Sequence, residues 1–134
     1  MVHMVDVKIR RLNLTSLEGE YAICQLVPQA GIPEWASMGG VFSITRTPDE
    51  LSIICRREQI PEDVPCRPGW RALKIEGPFE FEEIGVLASL TAPLAAAQIS
   101  LLTISTFDTD YIFIQTENFD LALQVLQAAG HQIE

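Results

Sequence analysis

Positive charge is scarce in this sequence. Nine Lys and Arg residues face eighteen Asp and Glu, giving a formal net charge of −9 over 134 residues. Phosphate backbones and anionic bilayers repel such a chain, which sets nucleic-acid and membrane partners aside. Histidine is scarcer still. His3 and His131 lie near the two ends, where fraying is common, and neither is a persuasive general base. The three cysteines, Cys24, Cys55 and Cys66, form no C-x-x-C pair. They read as reduced thiols of a cytoplasmic protein, with Cys24 and Cys55 as small core residues inside strands. No apolar run approaches the roughly 18 residues of a membrane span, and no N-terminal signal segment is present. There is no phosphate-binding glycine loop, nucleophile elbow or metal-ligand spacing. The sequence therefore reads as a non-catalytic protein with no cofactor and no metal.

What is present is apolar material: 48% of the residues are hydrophobic, enough for a real core in one compact unit or two small fused ones. The densest stretch is Ile99 to Gln115. Ile99, Leu101, Leu102 and Ile104, then Tyr111, Ile112, Phe113 and Ile114, are types that suit strands. Between them, Thr106-Phe107-Asp108-Thr109-Asp110 has the side chains of a turn.

Upstream, Val5 to Leu14 and Glu20 to Val27 read as strands around a turn at Ser16-Leu17-Glu18-Gly19. Pro28 to Gly40 is loop, with one helical turn near Pro33 to Ser37. Val41 to Arg46 and Leu51 to Arg56 are strands around Thr47-Pro48-Asp49-Glu50. Arg57 to Gly69, with three prolines, is the natural boundary, and divides the chain into units 1–65 and 66–134. Trp70 to Ile75 is a strand. Leu87, Leu90, Leu94 and Ala97 then recur at helical spacing behind Glu82 and Glu83. Pro93 removes the bond its nitrogen would have donated to the Ser89 carbonyl, so a kink is expected. A second helix runs from about Glu117 to Ala129, with Thr116 as N-cap, Phe119, Ala122, Leu123 and Leu126 inside, and Gly130 as the stop. His131 to Glu134 leaves room for a short last strand.

The second half thus reads strand, helix, strand, strand, helix, strand: an α+β, ferredoxin-like antiparallel sheet with two helices on one face. The first half reads as a degenerate copy, with single turns in the helix slots at 33–38 and 57–62. The residues Thr91 to Ile114, TAPLAAAQISLLTISTFDTDYIFI, resemble the core of an ACT domain, the small regulatory module that binds amino acids. They resemble aspartate kinase regulatory regions and, more closely, cytosolic arginine sensors of the CASTOR type. Phe42 to Glu50, FSITRTPDE, resembles the segment before the second repeat of those sensors. The sensors carry four repeats and this chain has room for two.

That resemblance implies a non-catalytic amino-acid-binding regulatory protein. It implies a ligand site formed by Glu76, Gly77 and Pro78, by Gly85 and Val86 at the helix entry, and by Ser100 and Leu101 at the next strand. A second copy, in a homodimer, would supply the missing wall. A helix N-terminus suits an α-carboxylate, and Glu76, Glu82 or Glu83 suits an α-ammonium. The bland alternative is a Gly-Pro turn followed by a solvated first helical turn. Asp108 and Asp110 admit acid/base or hard-cation readings, but no His, Glu or Asn cluster accompanies them; a turn stabilised by Asp side chains is the better reading. Phe107 between polar residues offers an anchor for a protein partner, so a ligand-free interaction module built on Phe107, Asp108, Asp110 and the sheet edge is the alternative function.

Overall fold

The structure, a computed structural model, describes residues 11–76 and 85–134. Among these, eight strands form one sheet. They are β1 (Asn13–Ser16), β2 (Tyr21–Leu26), β3 (Ser43–Arg46), β4 (Leu51–Arg56), β5 (Cys66–Ile75), β6 (Leu101–Ser105), β7 (Asp110–Gln115) and β8 (Gln132–Ile133). Helix α1 (Val86–Ala96) precedes β6, and α2 (Thr116–Ala128) follows β7. Single 3-10 turns cover Glu34–Ser37 and Arg57–Gln59, in the two slots where the first half lacks helices.

Within the first half the strands lie in the order β3-β4-β2-β5, with every neighbouring pair antiparallel. This is the ferredoxin-like order, with β2 first in sequence and the beginning of β5 last. In the second half β6, β7 and β5 follow the same rule. The fourth position departs from it. β1 pairs antiparallel with β5, and β8 pairs in parallel with β1 rather than with β5.

Two expectations at strand boundaries are corrected. β1 and β2 do not form a hairpin across Leu17 to Glu20: both pair antiparallel with β5, so they run the same way along it. The chain runs on along the same edge of β5, opposite β7, instead of reversing. Strand β5 also starts at Cys66, not Trp70. Its one proline did not forbid this, because Pro68 stands where β2 and β5 lose register between Tyr21 and Ile23.

Alternation explains which side chains go inside. In β4, Leu51, Ile53 and Cys55 are buried under the 3-10 turns, packed with Ala36 and Ile60. In β5 and β7, Leu73, Ile75, Ile112 and Ile114 meet Leu90 and Leu94 of α1 and Leu126 of α2. Leu90 and Leu94 are fully buried, each contributing about 1.5–3 kcal/mol. On the opposite face Tyr21 and Phe113 flank β5 and meet edge to face, ring centroids 5.4 Å apart. They can do so because the residue of β5 beside Phe113 is the small, buried Ala72.

His131 is not frayed. Gly130, at φ +101°, closes α2 with bonds from its own N–H to the Gln127 carbonyl and from the His131 N–H to the Leu126 carbonyl. The turn drives the imidazole into the core, where it is 3% exposed. Its Nδ1 accepts the Leu12 N–H at 3.1 Å, and its Nε2 donates to the Ser89 carbonyl at 2.8 Å. That carbonyl is the one Pro93 leaves without an intrahelical donor. One ring thus ties β1's entry, α1 and α2 together as the neutral Nε2–H tautomer. Thr116, expected as the N-cap of α2, is instead its first helical residue and makes no capping bond.

His131→Ala takes the imidazole acceptor from the buried Leu12 N–H and the imidazole donor from the Ser89 carbonyl, and should cost about 2–4 kcal/mol in urea unfolding. In a Pro93→Ala background the restored N–H can serve Ser89, so the same substitution should cost less; additive losses in that double-mutant cycle would refute the link. Burial pushes the Cys24 and Cys55 thiols up to about 11 from an ordinary value of 9.0. Native protein treated with iodoacetamide near pH 8 should therefore label half-buried Cys66 first. Because the folded state holds these two protons more tightly, the associated stability is intact below about pH 9 and is lost as pH rises toward about 11. Cys24→Ala/Cys55→Ala should flatten that alkaline slope in urea melts.

Candidate functional site

The C-terminal end of β5 and the residues beside it form a rim. Ile75 lies opposite Asp110, and Asp110 lies opposite Ser105. The turn after β6 therefore sits at the same end as Glu76. This turn is held by threonines, not by aspartates as the sequence led one to expect. The Thr106 N–H donates to the Thr109 carbonyl at 2.8 Å, and the Thr109 N–H to Thr106 Oγ1 at 3.2 Å. The Thr109 hydroxyl donates to the Ile75 carbonyl, pinning the turn to β5. Phe107 at its tip is 80% exposed.

Glu76 is already engaged. Its carboxylate accepts the Thr15 hydroxyl at 2.7 Å and lies 3.7 Å from Lys74 Nζ. Asp108 and Asp110 have no ion pair among the described residues. Helix α1 opens at this end of the sheet on Gly85, whose φ of +89° is the left-handed conformation that glycine takes without strain and which has no side chain of its own to cap the helix. The start of a helix carries partial positive charge that suits an anion, while Asp108 and Asp110 favour a cation. Gly77, Pro78, Glu82 and Glu83 lie outside the described residues.

Ser100 and Leu101 are elsewhere. Leu101 pairs with Ile114, and Ile75 with Asp110, so they mark opposite ends of β7. The five residues of β6 separate them by about 13 Å. Helix α1 runs back along that distance, so Gly85 and Val86 share the rim with Glu76, and Ser100 shares the far end with Arg71. Arg71 stacks on the Phe119 ring at 4.3 Å. The chain thus joins the expected helix-entry residues to the Phe107 turn and separates both from Ser100. Asp110 and Thr15 enter the rim through long-range pairing, for which the sequence carries no local signal. Among the described residues, no group of three or more His, Cys, Asp or Glu side chains is placed to hold a metal ion. No described helix is long and apolar enough to cross a membrane.

Comparison with known proteins agrees with this architecture. Residues 66–128 match the ACT-domain family, and residues 19–63 match a family described as an N-terminal domain. Human cytosolic arginine sensor for mTORC1 subunit 1 is 41% identical over 59 residues, which are 43% of this chain and 18% of that protein. The match therefore spans less than a fifth of the sensor's length. An Agobacterium tumefaciens protein of known crystal structure is 41% identical, with a TM-score of 0.89 and 93% of each chain covered. The allosteric aspartate kinase of Clostridium acetobutylicum shares the fold alone, at 9% identity and a TM-score of 0.64 over 93% of this chain and 36% of that one. Given the βαββαβ order and the helix pair on one face of the second half, and their match to the family, residues 66–128 of the chain belong to the ACT-domain family.

Proposed function

We propose that this chain is a non-catalytic regulatory protein that binds an amino acid at the rim where α1 begins. The observation that supports the reading is that α1 starts at Gly85 in a domain matching the ACT family, whose first strand ends with Ile75 opposite Asp110. The helix end suits an α-carboxylate; Asp108 and Asp110 suit an ammonium or a cationic side chain. Similarity to arginine sensors and the net charge of −9 favour a basic amino acid. Because Ser100 and Leu101 stand at the other end of the sheet, they join this site only if a second copy presents them. The reading therefore includes a homodimer. Ligand burial between copies would then favour one arrangement by its differential affinity for it.

A thermal-shift screen of the twenty amino acids tests this. A ligand at about 100 times its dissociation constant adds roughly 2.7 kcal/mol, a rise of several degrees in Tm. Asp110→Asn should abolish that rise with little change in the ligand-free Tm, and Ser100→Trp should abolish it if the wall comes from the partner copy. The high exposure of Phe107 supports the second reading, a ligand-free interaction module. A flat screen, together with loss of partner binding in Phe107→Ala, would replace the first reading with that one.

A further inference from the structure

The first half of the chain holds a groove of about 580 Å³ where β2, β4 and β5 come together, on the far side of β5 from the rim strands β6 and β7. This is the size range of small-molecule sites. Its lining is ordered by register. Ile23 and Gln25 alternate with buried Cys24 along β2, so both lie on the face turned away from the core beneath the 3-10 turns. Gln25 lies directly opposite Ser52, and Ile23 directly opposite Arg67. The floor is thus a short apolar and polar strip, with Arg67 at one end.

Glu50 lines the other end. Leu51 pairs with Leu26, which puts Glu50 level with Val27 and four residues along β2 from Ile23. The backbones of Glu50 and Arg67 are therefore separated by about 13 Å along β2 and about 10 Å across it. Neither charge forms an ion pair among the described residues, with the other or with anything else. The cation on the strand beside Glu50 is Arg46, and its guanidinium is committed to the Pro28 and Ala30 carbonyls. Glu50 itself is held in place, its backbone N–H bonded to Thr47 Oγ1 at 3.2 Å and its carbonyl accepting the Thr47 N–H at 2.9 Å. Two opposite charges at the ends of one groove, too far apart to neutralise each other, are complementary to a molecule that carries the reverse pair at matching ends.

We propose that this groove is a small-molecule site separate from the rim, and that it takes a short linear molecule with a carboxylate at one end and an ammonium or guanidinium at the other. Arg67 receives the carboxylate, with the two N–H groups of its guanidinium matched to the two oxygens. Glu50 receives the cation. Gln25 and Ser52 bond polar groups between them, and Ile23 packs on the methylenes. A compact zwitterion with both charges on one carbon satisfies only one wall. The inference stands on the groove's own geometry and does not rest on the rim reading.

The probe is 5-aminopentanoate, titrated into the ¹⁵N-labelled full chain and followed by NMR. Saturable shifts are expected at the amides of Ile23, Gln25, Ser52 and Arg67. Arg67→Met and Glu50→Gln should each weaken binding by about tenfold or more, with Arg67→Lys recovering part of the loss. Pentanoate and pentylamine, each keeping one charge, should bind at least about tenfold more weakly. Neither substituted position is buried, so the substitutions should be tolerated, and amide dispersion verifies that each variant is folded. Silence at these residues up to about 20 mM, or a Kd unmoved by both charge removals, overturns the inference. Shifts confined to Gly85, Val86 and Asp110 overturn it too, while supporting the rim. Conversely, a groove that responds beside a rim that stays silent to all twenty amino acids supports the inference and removes the rim reading.

Discussion

Every part of this molecule depends on one strand serving both halves of the sheet. The ten residues of β5 give their first positions to β2 and their last to β1 and β7. To the first half it is the closing fourth strand; to the second it is the opening first strand. A division of the chain at 65/66 coincides with the gap between the two family matches, yet it falls immediately before β5. It would strip the first half of its fourth strand and leave β2 with an open edge. It would also remove β1 from between β5 and β8 in the second half. The Tyr21–Phe113 contact over Ala72 adds apolar burial across the same junction.

The second half depends in turn on a substitution of one donor for another. Proline in α1 removes the N–H that a regular helix would aim at the carbonyl of buried Ser89, where an unmade bond would cost about 1–3 kcal/mol. The imidazole of His131 supplies the donor from the other end of the chain. A glycine at φ +101° is what delivers it, since any Cβ there would also crowd Arg11 at 3.3 Å. The helix that opens at the rim is thus anchored one turn in, at Ser89. That anchor fixes the direction of its first N–H groups.

How much of this the residues announced follows from the range of each interaction. The helices, the hairpin of β6 and β7 and the 3-10 turns in the helix slots were legible because each rests on spacing within a dozen residues. The stop at Gly130 was legible for the same reason. The order of β1 and β8 was not: β1 enters beside β5 by pairings between Leu14 and Ile75, sixty-one positions apart. His131 gave no warning because its partners, Leu12 and Ser89, are 119 and 42 positions away. The site residues divide the same way. Glu76 and Gly85 flank one strand-to-helix connection, so their proximity could be read directly. Ser100 follows the helix, and a helix of eleven residues carries the chain about 16 Å. That length alone separates it from Gly85.

The same length argues about function. A protein that closed its own ligand site would bring both walls to one end of the sheet. Here the helix N-terminus and the acidic rim stand at one end, with Ser100, Leu101 and the Arg71–Phe119 stack at the other. The edge of β6, paired only with β7 among the described strands, runs between them. Two copies related by a two-fold axis perpendicular to that edge would place the rim of each against the far end of the other, making two equivalent sites from two incomplete ones. Ligand affinity and association would then be one equilibrium, and occupancy would be read out as a change in the pairing of chains, which is how a small module with no chemistry of its own can report on a metabolite.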